Sequence, residues 1–283
     1  TPIWLMRQAG RYMAEFREYS DRLPFRERSE TPDIAVELSL QPWRAFGTDA
    51  VIMFSDILTP LPAIGIDFDI VRKRGPVIPN PIRTSADVDR VASADAFDPE
   101  TNLPFVRETL QRLRKEIDGA PQRPALVGFV GLPWTLAAYS IEGGSSKAML
   151  TAKKMIYEDP QVIEALLSKI TDMVAKYVVF QADSGAEVVQ LFDSWAHGLS
   201  PQLYKKWSAP YTARVIEAVR KARPDLPIVF FAHGSAGKLS VIRDILGKGA
   251  MGDAAPDVVA VDWQTNLAEA REILGPDTCL QGN

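Results

Sequence analysis

Seven short apolar runs, each too short to form a helix, recur along the chain and constrain its fold more than any other feature. They cover residues 3–6, 50–54, 126–130, 188–192, 228–231, 258–261 and 278–280. Because successive positions are apolar, such runs are typical of strands that are buried on both faces of a parallel sheet. Segments with helical spacing of apolar residues lie between them, so the pattern predicts an α/β protein.

Proline and glycine mark the ends of the predicted helices. Pro32 follows the capping residue Thr31 and begins one helix, which Gly47 ends. The same signals predict helices from 99 to 118, from 160 to shortly before 185, from 201 past 219, from 236 to 246 and from 267 to 274. Residues 66–78 resemble a surface hairpin, with the RKRG sequence near its turn.

Polar or glycine residues follow every predicted strand. The positions are Arg7, Ser55-Asp56, Gly131, Asp193-Ser194, His233, Asp262-Trp263 and Gln281-Gly282-Asn283. A barrel builds its active site from the loops at the carboxyl ends of its strands, and the first strand lacks the G-x-G-x-x-G turn of a dinucleotide-binding sheet. We therefore predict one (β/α)8-barrel domain over residues 1–283.

Seven strands are one fewer than this barrel requires. We expect the eighth strand and the C-terminal helix to be missing from this chain, and the natural protein to continue for on the order of 50–70 residues. The first and seventh strands should then flank a gap at the cleft, because an open barrel exposes two sheet edges.

Charge and composition exclude several classes of protein. The formal net charge is −4, which disfavours a nucleic-acid binder. A single cysteine, Cys279, excludes a disulfide framework and a zinc site with several thiolates. No apolar run of about 18 residues could span a membrane, and no secretory signal is recognisable, so we expect the cytoplasm.

Arginines are concentrated at the start of the chain, where no lysine precedes Lys73. They are Arg7, Arg11, Arg17, Arg22, Arg26 and Arg28. Those from 17 to 28 fit either a solvated, salt-bridged face or bidentate binding of carboxylate or phosphate. The sequence Arg7-Gln8-Ala9-Gly10-Arg11 fits an anion site, although one buried ion pair with one surface arginine is the alternative.

Two further segments have alternative interpretations. Asp56 lies in an apolar context at a strand end, where an aspartate either caps a turn or faces a ligand cation or N–H donors. The aromatic side chains Phe129, Trp134 and Tyr139 offer flat ligand-binding surfaces or belong to the core. Glycines 128 and 131 would let a ligand approach the backbone.

Several of these motifs together resemble the uroporphyrinogen decarboxylase family. The resemblance starts at the strand before RQAGR and continues in FSDIL, the 128–144 segment, QLFDS, VDW and LQGN. It covers essentially the whole chain in order, and RQAGR with the 128–144 segment is specific to the family. The fold that it implies, a (β/α)8 barrel, agrees with the prediction from the strand pattern.

The resemblance implies an enzyme that removes CO2 from the four acetate arms of uroporphyrinogen III, without a metal or an organic cofactor. Arg7 and Arg11 match the family's carboxylate-binding arginines, and Gln8, Ala9 and Gly10 complete that loop. Asp56 matches the aspartate that stabilises the pyrrole cation of the transition state. Tyr139 and Ser194 match the remaining substrate contacts, while Phe129 and Phe192 are expected to wall the macrocycle. The proton donor stays open between an arginine and a protonated acetate arm, and the resemblance also implies a homodimer.

The chain departs from the family pattern at one residue, a histidine expected on the eighth strand. Neither His197 nor His233 can be assigned to it, and His233 is expected to be satisfied locally. Two alternatives remain: a corrinoid-dependent methyltransferase, which needs a His-x-Cys zinc motif that is missing here, and an inactive tetrapyrrole-binding fragment.

Overall fold

A parallel sheet of six strands forms the centre of the computed structural model, which describes residues 1–5 and 10–282. The first elements in the chain are α1 (Ala14–Ser20), α2 (Phe25–Glu30), α3 (Pro32–Phe46), β1 (Ala50–Ile52), β2 (Asp69–Val71), β3 (Gly75–Val77), α4 (Ser85–Arg90), α5 (Pro99–Asn102), α6 (Pro104–Asp118), β4 (Ala125–Gly131) and α7 (Pro133–Glu142). They are followed by α8 (Leu150–Glu158), α9 (Pro160–Asp183), β5 (Val188–Asp193), α10 (Pro201–Trp207), α11 (Ala209–Ala222), β6 (Ile228–Ala232), α12 (Leu239–Leu246), α13 (Lys248–Met251), β7 (Val258–Ala260), α14 (Leu267–Leu274) and β8 (Cys279–Gln281).

The sheet is wound in one direction only. Its strand order is β1-β4-β5-β6-β7-β8, and every neighbouring pair is parallel. A doubly wound sheet instead reverses its order at a switch point. All six carboxyl ends consequently lie at the same edge of the sheet. The predicted hairpin is confirmed as β2 and β3, which pair antiparallel around the RKRG turn.

The prediction of seven strands is wrong for the described residues, because the first apolar run forms no strand over residues 3–5. The Asp49 N–H donates to the Ile3 carbonyl at 2.9 Å, as a strand neighbour would. The Ile3 N–H, however, donates to the Asp49 carboxylate at 2.7 Å, so a side chain replaces the next ladder bond. Ile3 also stays 64% exposed.

The same segment contacts the other edge of the sheet. The Trp4 indole N–H donates to the Gln281 side chain at 3.3 Å, while Ile3 is bonded to Asp49 just before β1. Residues 3 and 4, which belong to the predicted first strand, therefore contact the last strand through a side chain, across the place where the gap was expected. The sheet is curved enough for both of its edges to reach one short segment, although it does not close.

The predicted helices form, and prolines divide two of them. Pro104 cannot donate a hydrogen bond and restricts Leu103, which leaves the helical region between α5 and α6. Ser208 similarly separates α10 from α11, two residues before Pro210. Helix α3 ends as predicted, with Gly47 in the left-handed conformation at φ +62°.

Helix α9 is the main support of the sheet. Its apolar stripe is buried, and the helix packs against α7, α11, β4 and β5. Burial of apolar area on this scale is the dominant stabilising term of the fold. None of the helices in the described ranges is long and apolar enough to cross a membrane.

Candidate active site at the carboxyl ends of the strands

A cavity of about 240 Å3 opens at the carboxyl edge of the sheet, between β1, β4 and β5. Its lining combines the segment after β1 with aromatic rings of the neighbouring strands: Leu38, Ser39, Ile52, Met53, Phe54, Ser55, Ile57, Phe129, Phe192 and Ser194. Most of this lining is apolar. Polar groups enter only at its rim, which is the arrangement of a small-molecule site.

Three aromatic rings from adjacent strands pack in a row, and two of them, Phe129 and Phe192, line the cavity. Phe192 lies 5.8 Å from Phe129 and 5.9 Å from Phe231, both pairs edge to face. Because side chains alternate along a strand, Ser194 lies on the same face of the chain as Phe192. Phe129 and Phe192 therefore lie side by side in the lining of the cavity, and their role as a wall for the macrocycle stays a prediction.

The expectation for glycines 128 and 131 is wrong. A side chain at Gly128 would meet the Gln181 amide oxygen at 2.6 Å, and one at Gly131 would meet Leu136 at 2.8 Å. The space beside these glycines is therefore filled by the protein itself. Gln181 uses it to accept from the Phe129 N–H at 2.9 Å and donate to the Phe129 carbonyl at 3.1 Å, which fixes the position of that ring.

Asp56 caps a turn, which is one of the two interpretations of its sequence context, and its contact with a ligand stays a prediction. Its Oδ1 accepts from the Leu58 N–H at 2.9 Å, which is a turn cap. Its Oδ2 has no hydrogen-bond partner within the described residues. Burial raises the pKa of Asp56 above its ordinary value, opposed by the Leu58 N–H and by the charge of Arg11. One carboxylate oxygen thus remains available at the edge of the cavity.

The turn that carries Asp56 is held by hydroxyl groups. Thr59 Oγ1 accepts from the Asp56 N–H at 3.2 Å and lies 2.7 Å from Ser55 Oγ. Before the turn, the Phe54 N–H donates to Ser39 Oγ on α3 at 2.7 Å. Sequence analysis missed Ser39, because a serine inside a helix pattern gives no signal that it supports a distant strand end.

Tyr139 and Ser194 lie at the same edge of the sheet as Asp56. The Tyr139 ring stacks against Trp195 at 4.1 Å, and Ser194 lines the cavity. Burial raises the pKa of the Tyr139 hydroxyl, hydrogen bonding to Trp195 opposes the rise, and the negative charge of Asp56 adds to it. Asp56 and Tyr139 are therefore close enough to interact electrostatically.

The predicted anion loop lies partly outside the described residues, since these exclude Arg7, Gln8 and Ala9. Gly10 is buried at φ +66°, a conformation that favours glycine, and its carbonyl accepts from the Met13 N–H at 2.7 Å. Arg11 is exposed, and its charge acts on Asp56.

Asp193 is buried in a structural network beneath this edge. Its Oδ1 accepts from Thr135 Oγ1 at 2.8 Å, and its Oδ2 accepts from the Ser208 hydroxyl. Thr135 Oγ1 in turn accepts from the Trp195 N–H at 3.1 Å. Burial raises the pKa of Asp193 to about 6. Both oxygens are in use, so Asp193 positions the segment with Ser194 and Trp195 and has no oxygen left for a ligand.

A second buried carboxylate, Asp262, anchors the loop after β6. It accepts from the Gly234 N–H at 2.5 Å and the Ser235 N–H at 3.2 Å, while Lys238 Nζ donates to the Gly234 carbonyl at 2.8 Å. Gly234 has φ +70°, and a side chain there would meet the His197 Cβ at 2.7 Å. The loop therefore packs directly on the turn after β5.

The two histidines contact each other across these loops. Their rings lie 4.8 Å apart, and His197 Nδ1 is 3.1 Å from the Ser194 carbonyl. The expectation that His233 is satisfied locally stays a prediction. In the described part of the chain, no three side chains of His, Cys, Asp or Glu are grouped as metal ligands.

The arginine-rich segment is not uniformly solvated. Arg26 fits the salt-bridge interpretation, since its Nε lies 2.6 Å from Glu30. Arg28 does not, because it is only 8% exposed and its guanidinium lies among the rings of Phe16, Phe25 and Phe54. No spacing signal separates these two arginines, which are neighbours on one short helix.

Comparison with known proteins identifies the family. The sequence model of the family described as "Uroporphyrinogen decarboxylase (URO-D)" matches residues 1–283. The chain belongs to the uroporphyrinogen decarboxylase family. A uroporphyrinogen decarboxylase of Crocosphaera subtropica is 52% identical over 283 residues, covering 100% of this chain and 76% of the relative. One from Synechocystis is 50% identical over 283 residues, covering 100% of this chain and 77% of the relative.

Solved structures with the same fold are more distant in sequence. A methyltransferase from Methanosarcina mazei superposes with a TM-score of 0.68 at 18% identity, covering 92% of this chain and 72% of that chain. A B12-independent methionine synthase from Shewanella gives a TM-score of 0.55 at 11% identity, covering 89% and 69% of the two chains. At such identities the likeness concerns the fold alone, and it supports an α/β fold shared by this family and these methyltransferases.

Proposed function

We propose that this chain decarboxylates uroporphyrinogen III and converts its four acetate arms to methyl groups to give coproporphyrinogen III. The observation that carries the proposal is the family match over residues 1–283, with relatives of that name about 50% identical across the whole chain. The site described above supports it, because Asp56 lies in the chain between Ser55 and Ile57, which line the apolar cavity, and the charge of Arg11 acts on Asp56.

The chemistry needs a cation to form and then disappear. A proton adds to a pyrrole ring carbon, and the C–CO2⁻ electron pair then moves to the ring as an exocyclic double bond while CO2 leaves. A second proton converts the methylene to methyl, and the ring carbon loses the first proton. One proton is consumed per carboxyl group lost, and no electrons are exchanged with another molecule.

Asp56 suits the role of stabilising that cation. Its Oδ2 has no hydrogen-bond partner among the described residues and can accept from pyrrole N–H groups, whereas Oδ1 accepts from the Leu58 N–H. A fixed charge in an apolar site stabilises developing positive charge without reorganising at the moment of reaction. Burial raises the pKa of Asp56, so the acid limb of the activity profile should lie above the ordinary range of an aspartate.

The remaining contacts belong to binding. We assign Arg7, Gln8, Ala9, Gly10 and Arg11 to the loop that receives substrate carboxylates. Tyr139 and Ser194 contact the substrate at the cavity rim. Phe129 and Phe192 cover one face of the macrocycle. Arginine at these positions fits a substrate with eight carboxylates, because its planar fork binds carboxylate through two hydrogen bonds.

We also propose that the six strands are part of a single-domain (β/α)8 barrel. The one-directional strand order supports this, as does the segment at residues 3 and 4 that contacts both sheet edges. The proposal extends to a cytoplasmic homodimer. Sedimentation of the protein at micromolar concentration should give twice the chain mass, and a monomer would exclude the dimer.

Turnover of the reduced substrate tests the proposal. The protein is incubated with uroporphyrinogen III under anaerobic conditions, the products are oxidised, and porphyrins are separated by their number of carboxyl groups. We expect species with seven, six, five and four carboxyls. Unchanged octacarboxylate would reject the decarboxylase and favour the inactive binding fragment, and the corrinoid-dependent alternative would require methyl transfer instead.

A further inference from the structure

Arg28 is a buried cation without an anionic partner. Arg28 is 8% exposed, its Nε donates to the Leu23 carbonyl at 3.1 Å, and its Nη1 is buried with no hydrogen-bond partner among the described residues. No carboxylate in the described ranges is paired with it. A buried charge is normally paired, so an arginine left in this state requires an explanation.

An aromatic cage holds this guanidinium in place. Its central carbon lies 5.4 Å from the Phe16 ring centre, 5.5 Å from Phe25 and 5.7 Å from Phe54. Cation–π contacts of this kind partly replace lost hydration. They supply no hydrogen-bond acceptor, so the Nη1 donors are not used by the residues that the structure describes and can bind an anion.

The cage is also a wall of the cavity. Phe54 lines the cavity and is in contact with the Arg28 guanidinium, and Leu38 of the same apolar cluster lines the cavity too. Asp56 lies two residues after Phe54. Arg28 is therefore placed beside the proposed reaction site and not on a remote surface.

A second arginine acts on the same place. The positive charge of Arg11 lowers the pKa of Arg28, after the larger effect of burial, and it also acts on Asp56. Two guanidinium groups within electrostatic range repel each other unless an anion lies between them. The apolar surroundings and the two forks favour a carboxylate, which each can bind through paired hydrogen bonds.

We propose that Arg28 binds substrate directly and, together with Arg11, receives one carboxylate arm of the porphyrinogen on the Phe54 side of the cavity. The inference rests on the proposed function for the identity of the ligand. It adds a binding residue outside the RQAGR loop. This residue lies on α2, where the other arginine, Arg26, forms a salt bridge with Glu30 of the same helix.

The test compares Arg28→Met with Arg26→Met in the intact protein. Methionine fills the cage without charge, and Arg26 is the matched control because it lies on α2, stacks on Phe68 and is paired with Glu30. Two readouts are used: KM and kcat for uroporphyrinogen III, and the Kd of oxidised uroporphyrin III, which binds without turnover. We expect Arg28→Met to raise KM and Kd at least tenfold with a smaller change in kcat, and Arg26→Met to change neither by more than twofold.

Thermal unfolding separates binding from a structural role. If Arg28→Met shifts only the Tm and leaves KM and Kd within twofold of the wild-type values, the proposal is overturned. Should that variant not fold, Arg28→Lys keeps the buried charge and the apolar stem but loses the fork. A several-fold rise in Kd then supports the inference, and an unchanged Kd rejects it.

The same data distinguish the two proposals. A wild-type protein that binds uroporphyrin but does not decarboxylate uroporphyrinogen III fails the proposed function, while weaker binding of uroporphyrin by Arg28→Met would still support this inference. Normal turnover and normal Kd in Arg28→Met would reject the inference alone.

Discussion

Asp56 and Asp193 both lie at the carboxyl edge of the sheet, and burial raises the pKa of both, yet the two carboxylates are used differently. Asp193 has both oxygens bonded to hydroxyl groups of the protein. Asp56 has one oxygen bonded to a backbone N–H and the other free of partners in the described residues. A raised pKa alone therefore does not distinguish a reactive group from a structural one, whereas the count of unused oxygens does.

The largest expected effect is that of Asp56→Asn on catalysis. Asparagine preserves the shape and the acceptor for Leu58 but removes the charge that the pyrrole cation needs. We expect kcat to fall by about 10²–10³ while the Kd of uroporphyrin changes little, in line with the loss of one preorganised electrostatic group. Anaerobic turnover with parallel binding measurements checks this, and a variant that keeps over half of the wild-type kcat would contradict the role.

Asp193→Asn should show the opposite pattern, with a changed stability and a preserved kcat. Because the folded pKa of about 6 lies above the ordinary 3.8, the folded state binds more protons in this window. The contribution of Asp193 to the free energy of unfolding is fully present below pH 4. It is lost as pH rises through 6, which lowers the free energy of unfolding by up to about 3 kcal/mol.

Urea unfolding of both proteins from pH 4 to pH 7 measures this effect. The free energy of unfolding of the wild type should fall relative to that of Asp193→Asn across the window, since asparagine does not titrate. Parallel curves for the two proteins, or a kcat for Asp193→Asn as low as that of Asp56→Asn, would remove the contrast between the two carboxylates.

Gly234→Ala tests the packing that supports the Asp193 side. The residue has φ +70°, and the new Cβ would lie 2.7 Å from the His197 Cβ, so we expect a loss of about 2 kcal/mol. Gly237→Ala is the matched control, because no atom lies within 4 Å of its added carbon and its φ is not positive. Equal unfolding free energies for the two variants would show that the loop can shift without cost.

The smallest expected effect is that of Arg11→Lys on KM. Lysine keeps the charge that acts on Asp56 and Arg28 but not the bidentate fork. We expect KM to rise several-fold with kcat nearly unchanged, and the rise to be larger at high salt. A KM that equals the wild-type value at both low and high ionic strength would argue against bidentate carboxylate binding by Arg11.

Much of this architecture could be predicted from residue patterns, because strands buried on both faces and proline-started helices have strong local signals. The prediction of a strand at the first apolar run was wrong because the Asp49 carboxylate accepts from the Ile3 N–H, a contact that the local pattern does not indicate. The prediction that a ligand could approach Gly128 and Gly131 was wrong for a similar reason. The space beside Gly128 is filled by Gln181, which is distant in sequence, and the space beside Gly131 by Leu136 on the following helix.

The candidate site divides in a similar way. Asp56, Tyr139 and Ser194 were found through a family resemblance, and the structure brings them to one edge. Arg28 could not be separated from Arg26 by spacing, because its difference lies in the burial created by Phe16 and Phe54. Residues whose role depends on contacts across the fold leave no periodic trace in the sequence.

The contact between Trp4 and Gln281 joins residues 277 positions apart. At synthesis rates of roughly 5–20 residues per second, about 15–55 seconds separate the making of its two partners. Until Gln281 has been made, the segment before the RQAGR sequence lacks this contact and is positioned by the hydrogen bonds between Ile3 and Asp49. During translation, the Trp4–Gln281 contact therefore forms only after the strands that precede Asp56 and Ser194 have been made.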